Sequence, residues 1–556
     1  MDMNAMHVLS AAEMQACDRI TTERYGIPSL NLMRAAAAAV AAVARQQFPR
    51  ARRVTVLCGR GNNGGDGMMA ARLLADAGLD VTTLLIGVAG IPQGDAGVAW
   101  SELTNPMRGR VYAVTSAAEL ERRKESLDAD LIVDALVGTG FNPPLKGMAL
   151  AALEWVRASK APILAVDLPS GWPADETSAT VSGPVFPADA VVTFTAPKPA
   201  HVFGQLTRRW DQPIVVAPIG SPEEAMVSAL GIDWAGSALA LAQTPRAAAA
   251  NKGNFGHVLV VGGSFGPAGG KSGAPAMAAL AALRAGAGLV TAAVPAPALA
   301  AVAAVAPELM TWPLEPAANG QIAAKNLAPE FLTTLLAGKT VLAIGPGLGQ
   351  STETSKFTTG LLSGTKIPAV IDADALNILA AKPVLLTKLA KGRTLVLTPH
   401  PGEMARLAGT TVTEVQANRL ETARGFAQRM GVTLVLKGAR TLIAHPGGRV
   451  AVNTSGNPGM AKGGSGDVLT GLIAGLLAQY PGEAARAVEA AVYLHGLAAD
   501  LAVRKTGEHA LLATDTLRAL PQAFRFSGYG FREGGLNGYV WLQGHCMKQF
   551  SGEATE

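Results

Sequence analysis

The sequence predicts an α/β protein of two domains, each a three-layer αβα unit on a largely parallel sheet, and three observations carry that reading. At 556 residues the chain is too long for a single core. Short β-branched runs alternate with helical stretches in two separate series. Gly accounts for 63 residues, above the usual share of about 7% and without a collagen-like period, which suits many tight strand-to-helix turns.

The first series opens with Ser10-Ala-Ala-Glu13, a capping-box pattern ahead of a helix that stops near Gly26 and Pro28. A second helix spans about Leu30 to Gln47. Strands follow at Val54–Cys58, Val81–Ile86, Leu131–Val133, Ile163–Val166, Val191–Phe194 and Ile214–Val216. Between about 221 and 251 the pattern fades into Ala, Ser and Pro. The second series has strands at His257–Val261, Gly288–Val294, Val341–Ile344, Ala369–Ile371, Thr394–Leu397 and Val432–Leu436. This places one domain at residues 1–225, a linker at 226–250, a second domain at 251–521 and an appendage of unknown role at 522–556.

Composition narrows the function classes. Hydrophobic residues make up 49% and aromatics 5%, so the cores are filled mainly by Ala, Val and Leu. The net charge of +5 comes without a Lys/Arg tract, which argues against a nucleic-acid partner. The longest apolar runs, such as residues 35–44, are too short to span a bilayer, and the opening MDMNAMHVLS is acidic where a secretion signal is basic. Cys17, Cys58 and Cys546 show no metal or disulfide spacing, and a reducing cytoplasm fits best.

The most informative stretch is NPGMAKGGSGDVLTG, residues 457–471, where Gly463, Gly464, Ser465 and Gly466 lead through Asp467 into an apolar helix. Unpaired N–H groups and the positive end of the helix dipole attract phosphate there, and glycines let it approach the backbone. An acid beside that phosphate is costly by repulsion unless it takes a proton from an attacking hydroxyl. The plainer alternative is a helix-capping Asp. In the first half, strand Val54–Cys58 enters GRGNNGGDG and then a helix from Met68 to Ala77, a second anion cradle whose Asn and Asp side chains imply polar recognition.

Asp134, Asp167 and Lys198 follow three further strand ends, and in an open parallel sheet such ends share one crevice. Asn63, Asp134 and Ser170 offer only hard oxygen ligands, suited to an alkali or alkaline-earth cation. Asp167 and Lys198 are the available acid/base pair.

NNGGDG, VDALVGTGF, VDLPSG and FTAPKP, in this order, resemble the NAD(P)H-hydrate epimerase domain, of Rossmann-like fold. NKGNFGHVLVVGGS, IGPGLG, DADALN, TPHPGE, LKGART and NPGMAKGGSGD resemble the ADP-dependent NAD(P)H-hydrate dehydratases, of the ribokinase-like superfamily. Together the motifs cover residues 8 to 520. The resemblance implies that Asn62, Asn63, Gly64, Gly65 and Asp66, with Gly138, Thr139, Gly140, Phe141, Asn142, Pro143 and Pro144, hold the hydrated dinucleotide, NADHX or NADPHX. It implies that Asp167 contacts the reacting ring and moves a proton, and that Asn63, Asp134 and Ser170 bind potassium. In the second domain it gives Ala274, Gly347 and His400 to substrate, Lys437, Gly438, Ala439, Arg440, Thr441 and Gly466 to ADP, and the catalytic acid to Asp467. Lys198 is added on position and chemistry.

The implied activity is repair: the first domain interconverts R and S hydrates, and the second dehydrates the S form with ADP and Mg²⁺, releasing AMP and phosphate. The expected partners are these small molecules, with no nucleic acid and no membrane, and a homo-oligomer is the expected assembly. The rival reading is a ribokinase-type small-molecule kinase fused to a non-catalytic binding domain. Two residues depart from the family's usual pattern: Arg34 stands where an acid is usual, and Ala200 where a Gly is usual.

Overall fold

The computed structural model describes residues 5–267, 269–526 and 538–544, which divide into two compact units. The first comprises residues 6–230 with residues 538–544, and the second residues 231–526 with Ala5.

Among the described residues the first unit holds an eight-stranded sheet. Its order is Val540–Gln543, Ile214–Ala217, Ala190–Phe194, Ile163–Val166, Leu131–Ala135, Arg53–Cys58, Asp80–Ile86 and Arg110–Val114. All neighbours are parallel except the first pair. Alternation along the strands feeds two cores. Val54, Val56 and Cys58 pack with helices Ser29–Gln47 and Asn62–Asp76, while Leu57, Leu84 and Ile132 pack with helix Gly147–Val156. These are the two faces of a three-layer αβα unit.

In the second unit the sheet runs Ile232–Trp234, Val450–Val452, Leu442–Ala444, Thr433–Leu436, Leu395–Leu397, Ala369–Ile371, Val341–Ile344, His257–Val261, Leu289–Pro295 and Met310–Leu314. Strands from Thr433–Leu436 to Met310–Leu314 are parallel, and Leu442–Ala444 is antiparallel to both its neighbours. Helix Ser465–Gln479 lies on helix Gly273–Ala285 so closely that a Cβ on Gly471 would stand 2.0 Å from the Ala278 carbonyl oxygen.

Several expectations need correction. Residues 226–250 are not simply a linker: Ile232–Trp234 is a strand parallel to Val450–Val452, and the Trp234 indole donates to Thr454 Oγ1 at 2.8 Å. A three-residue strand shows no periodicity. The boundary at 521 falls inside helix Ala513–Phe524, whose buried Leu517, Leu520 and Ala523 carry it through Pro521. The appendage contributes Val540–Gln543, antiparallel to Ile214–Ala217, with Tyr539 and Trp541 in the first core. Arg110–Val114 and Met310–Leu314 went unread because edge strands are only partly buried, and Pro313 is tolerated there. No described helix is long and apolar enough to cross a membrane.

Candidate active sites

In the first unit the carboxyl ends of adjacent parallel strands open on one cavity of about 1050 Å³, lined by Asn62, Asn63, Asp66, Thr139, Asp167 and Lys198, with Gly138, Gly140, Phe141 and Asn142 beside them. The Gly-rich segment is not a loop running to Met68. The helix begins at Asn62, without a side-chain cap, because Gly64 turns back onto the strand exit: a Cβ there would lie 1.9 Å from the Gly59 carbonyl oxygen. Gly64 and Gly65 therefore serve packing, the latter against Met33, and with Pro143 and Pro144 they stand outside the cavity lining.

Asp167 sits at φ +65°, in the left-handed region, directly after strand Ile163–Val166. Its Oδ2 accepts from the Thr139 amide at 2.9 Å and the Thr139 hydroxyl at 2.7 Å. Its Oδ1 accepts from the Thr193 hydroxyl at 2.8 Å and from Lys198 Nζ at 3.0 Å. Burial opposes ionisation, but the Lys198 ammonium and these donors outweigh it and hold the carboxyl well below the usual carboxylate range. Lys198 also donates to Thr193 and to the Phe194 carbonyl. His201 takes the Lys198 amide on Nδ1 at 2.9 Å, so its Nε2–H donates to the Asp167 carbonyl at 2.7 Å; burial pulls its pKa down to about 4 and keeps it neutral.

Asp134 lies behind the cavity, fully buried, where it accepts the Ser170 hydroxyl at 2.6 Å and the Ser170 amide at 2.8 Å. Burial pushes its pKa up to about 6, and no cationic side chain opposes that. The Ser170 hydroxyl also stands 3.3 Å from the Val137 carbonyl, although its single proton serves only one of these oxygens. Asn63 Nδ2 is buried without a hydrogen-bond partner. Asp134 and Ser170 offer only oxygen atoms, the donor type an alkali cation takes, whereas the bare Asn63 Nδ2 is a hydrogen-bond donor and only the amide oxygen of that residue could face a cation.

The second site forms where helix Ser465–Gln479 starts, with Gly464 at φ +94° as an uncapped N-cap. Asp467, half-buried in the first turn, has its pKa pushed to about 6 by burial and by the neighbouring Asp372 charge, against Lys437 and Lys271. Asp372 ends strand Ala369–Ile371 and is nearly inaccessible: Oδ1 accepts from Lys437 Nζ at 2.8 Å and Oδ2 from the Thr470 hydroxyl at 2.8 Å. A Cβ on Gly466 would stand 3.4 Å from Lys437 Nζ and 3.6 Å from Asp372 Oδ2.

Gly347, at φ +69°, borders Ala274, whose Cβ would lie 3.4 Å from one built on Gly347. His400 caps helix Pro401–Ala408, its Nδ1 accepting the Gly402 and Glu403 amides while its own amide donates to Glu403. Burial and Lys437 lower its pKa. Residues Lys437 to Thr441 do not present one surface. Lys437 turns to Asp372, the Arg440 guanidinium donates to the Thr454 carbonyl, Gly438 and Ala439 are exposed, and the Thr441 hydroxyl closes on the Gly438 carbonyl.

Comparison with known proteins bears on both sites. The family model described as YjeF-related protein N-terminus matches residues 29–200, and that of NAD(P)H-hydrate dehydratase matches residues 258–522. The bifunctional NAD(P)H-hydrate repair enzyme of Moorella thermoacetica is 42% identical over 535 residues, covering 94% of this chain and 97% of its own. The chain belongs to the bifunctional NAD(P)H-hydrate repair enzymes. The Escherichia coli member of that name is 36% identical, with 92% of each chain covered. A crystal structure of an ADP/ATP-dependent NAD(P)H-hydrate dehydratase from Bacillus subtilis, grown with ATP and Mg²⁺, is 32% identical over 52% of this chain and 96% of its own, with a TM-score of 0.44.

Within this repair-enzyme chain, the sequence alone assigned no role to Asp372, Thr470, Glu403, Asn457 or Asp500. Asp500, on helix Ala484–Thr506, accepts the Gly456 amide and the Asn457 side chain, both at 2.9 Å, and so anchors the loop ahead of Gly464. An acid inside the apolar run LAADLAV, residues 497–503, was the available signal. The two departures are accommodated. Arg34 pairs with Glu102 at 2.6 Å on the surface, and Ala200 is buried, its amide donating to the Ala174 carbonyl at 3.0 Å.

Proposed function

We propose that the second unit dehydrates the S hydrates of NADH and NADPH with ADP, and that the first interconverts R and S hydrates so that the whole damaged pool is repaired. The observation that carries this reading is Asp467, raised to about 6, at an uncapped helix N-terminus directly over the Lys437–Asp372 pair. Hydration leaves a hydroxyl on C6, and hydroxide is a poor leaving group. Asp467 accepts the hydroxyl proton as the oxygen attacks the β-phosphorus of ADP, whose bond to the AMP oxygen breaks. The ring nitrogen's lone pair then expels phosphate, and loss of a proton from C5 restores the dihydropyridine. Lys437 and the first-turn amides of the helix stabilise charge on the transferred phosphoryl. Gly347, Ala274 and His400 bound the substrate side, and Gly466 with Lys437 and the exposed Gly438 and Ala439 the nucleotide side.

Among the described residues no cluster of three or more His, Cys, Asp or Glu is placed to hold a metal. Mg²⁺ would enter with the nucleotide and supply charge neutralisation at its phosphates. In the first unit Asp134, Ser170 and Asn63 would hold potassium, whose charge offsets the buried Asp134. Asp167 and Lys198 face the ring from the cavity wall. The test is to incubate the full chain with hydrated NADH and ADP. Free phosphate formed one-to-one with NADH is expected; a stable phosphorylated product without NADH would restore the kinase reading.

A further inference from the structure

We propose that Asp18 and Asp66 are the proton-transfer couple of the epimerase cavity, Asp18 as base and Asp66 as acid, while Asp167 and Lys198 form a fixed ion pair that orients the ring. The assignment rests on the epimerase reading above. Hydration makes C6 a carbinolamine carbon bonded to N1 and to a hydroxyl. Inverting it requires the C6–N1 bond to break as the hydroxyl proton leaves, which forms an aldehyde at C6, and N1 to gain a proton. Closure on the opposite face returns both protons, with no net oxidation.

Asp167 and Lys198 are poorly placed for either transfer. Each Asp167 oxygen already accepts two donors, and Lys198 Nζ donates to three oxygens. Asp18 is different. It sits on the inner face of helix Ala11–Glu23 with buried Met14, Cys17 and Thr21, lines the same cavity, and has Oδ1 buried without a hydrogen-bond partner. A carboxylate so placed is desolvated but unsatisfied, the condition in which taking a proton is most favourable. Asp66, on the first turns of helix Asn62–Asp76, is buried and lines the cavity too.

The surroundings separate the two. Burial pushes Asp18 up to about 6, with Lys198 opposing and Asp167 assisting, so it is largely ionised at neutral pH. Burial, with the charges of Asp167 and Asp18, holds Asp66 well above the ordinary carboxylate range, which favours its acid form. The Cys17 thiol, also near Asp18, is raised by burial and stays neutral, and Arg19, Glu23, Arg60, Asp95 and Lys146 also line the cavity.

The experiment compares wild type, Asp18→Asn and Asp18→Glu in the full chain by epimer-resolved chromatography, after subtraction of spontaneous epimerisation, with S-hydrate dehydration by the same preparation as the folding control. Asp18→Asn should lower epimerase kcat about 10²-fold or more with little change in KM, lose the wild-type acid limb near pH 6, and be partly rescued by Glu. Asp18→Asn at the wild-type rate, a change confined to KM, or a wild-type profile without a limb near pH 6 would each overturn the assignment. A wild-type chain with no epimerase activity would overturn the underlying reading and the assignment with it.

Discussion

Lys437 Nζ stands 2.8 Å from Asp372 Oδ1, and both lie under the first turn of the helix that carries Asp467. The pair joins the ends of two parallel strands to the helix start, so one arrangement supplies a cation for phosphate and a like charge that keeps Asp467 basic enough to act.

Removing that like charge should shift the titration of Asp467. Asp372 raises the Asp467 pKa, so Asp372→Asn should move the acid limb of dehydratase kcat/KM below its wild-type position near pH 6. The base form is the active one, so activity in both proteins falls as pH drops through that limb. A pH–rate profile of S-hydrate dehydration checks the displacement; an unchanged limb would separate Asp372 from Asp467.

A methyl group at position 466 tests the phosphate cradle. Its Cβ clears Lys437 and Asp372 by more than 3 Å, so Gly466→Ala should fold, yet it fills the space a phosphate needs against the backbone. The Km for ADP should rise roughly tenfold, about 1.4 kcal/mol of lost binding, with epimerase activity unchanged. Initial rates at varied ADP measure this.

Potassium should stabilise the first unit in a pH-dependent way. Asp134 is raised to about 6 in the fold against 3.8 for the free group, so its stabilising protonated form is fully present below about pH 4 and is lost as pH rises through 6. A cation that replaces that proton helps only above this range. The rise in Tm on adding KCl, relative to a bulky organic cation salt, should be larger at pH 8 than at pH 5, and Asp134→Asn should abolish the difference.

Truncation after residue 526 removes strand Val540–Gln543 and uncovers the edge of Ile214–Ala217, together with the core positions of Tyr539 and Trp541. Each such side chain contributes on the order of 2 kcal/mol by burial. The first unit's melting transition should fall by roughly 5 °C or more, with aggregation through the open edge, while dehydratase activity persists. Calorimetry with a parallel activity assay distinguishes this from a dispensable tail.

The sequence displayed the central strands of both sheets because His257–Val261 or Ile163–Val166, buried on both faces, read as near-continuous apolar runs. It concealed the edges. Arg110–Val114 is only partly buried, and Ile232–Trp234 depends on a partner more than 200 positions away at Val450–Val452. Of the sites, segments such as NNGGDG, which forms the first turns of helix Asn62–Asp76, and GGSGD were legible because small residues at strand-to-helix junctions have few other uses. What stayed hidden was which acid is saturated. Asp167 and Asp18 look alike in a sequence, and only the four donors on the former and the bare oxygen on the latter set them apart.

Transfer of the C6 hydroxyl proton to Asp467 is checked by Asp467→Asn in the full chain, supplied with S hydrate and ADP and followed by NADH absorbance and phosphate release. A fall in kcat on the order of 10³-fold is expected, with epimerisation intact. Recovery of NADH at a rate within a few fold of wild type would contradict it.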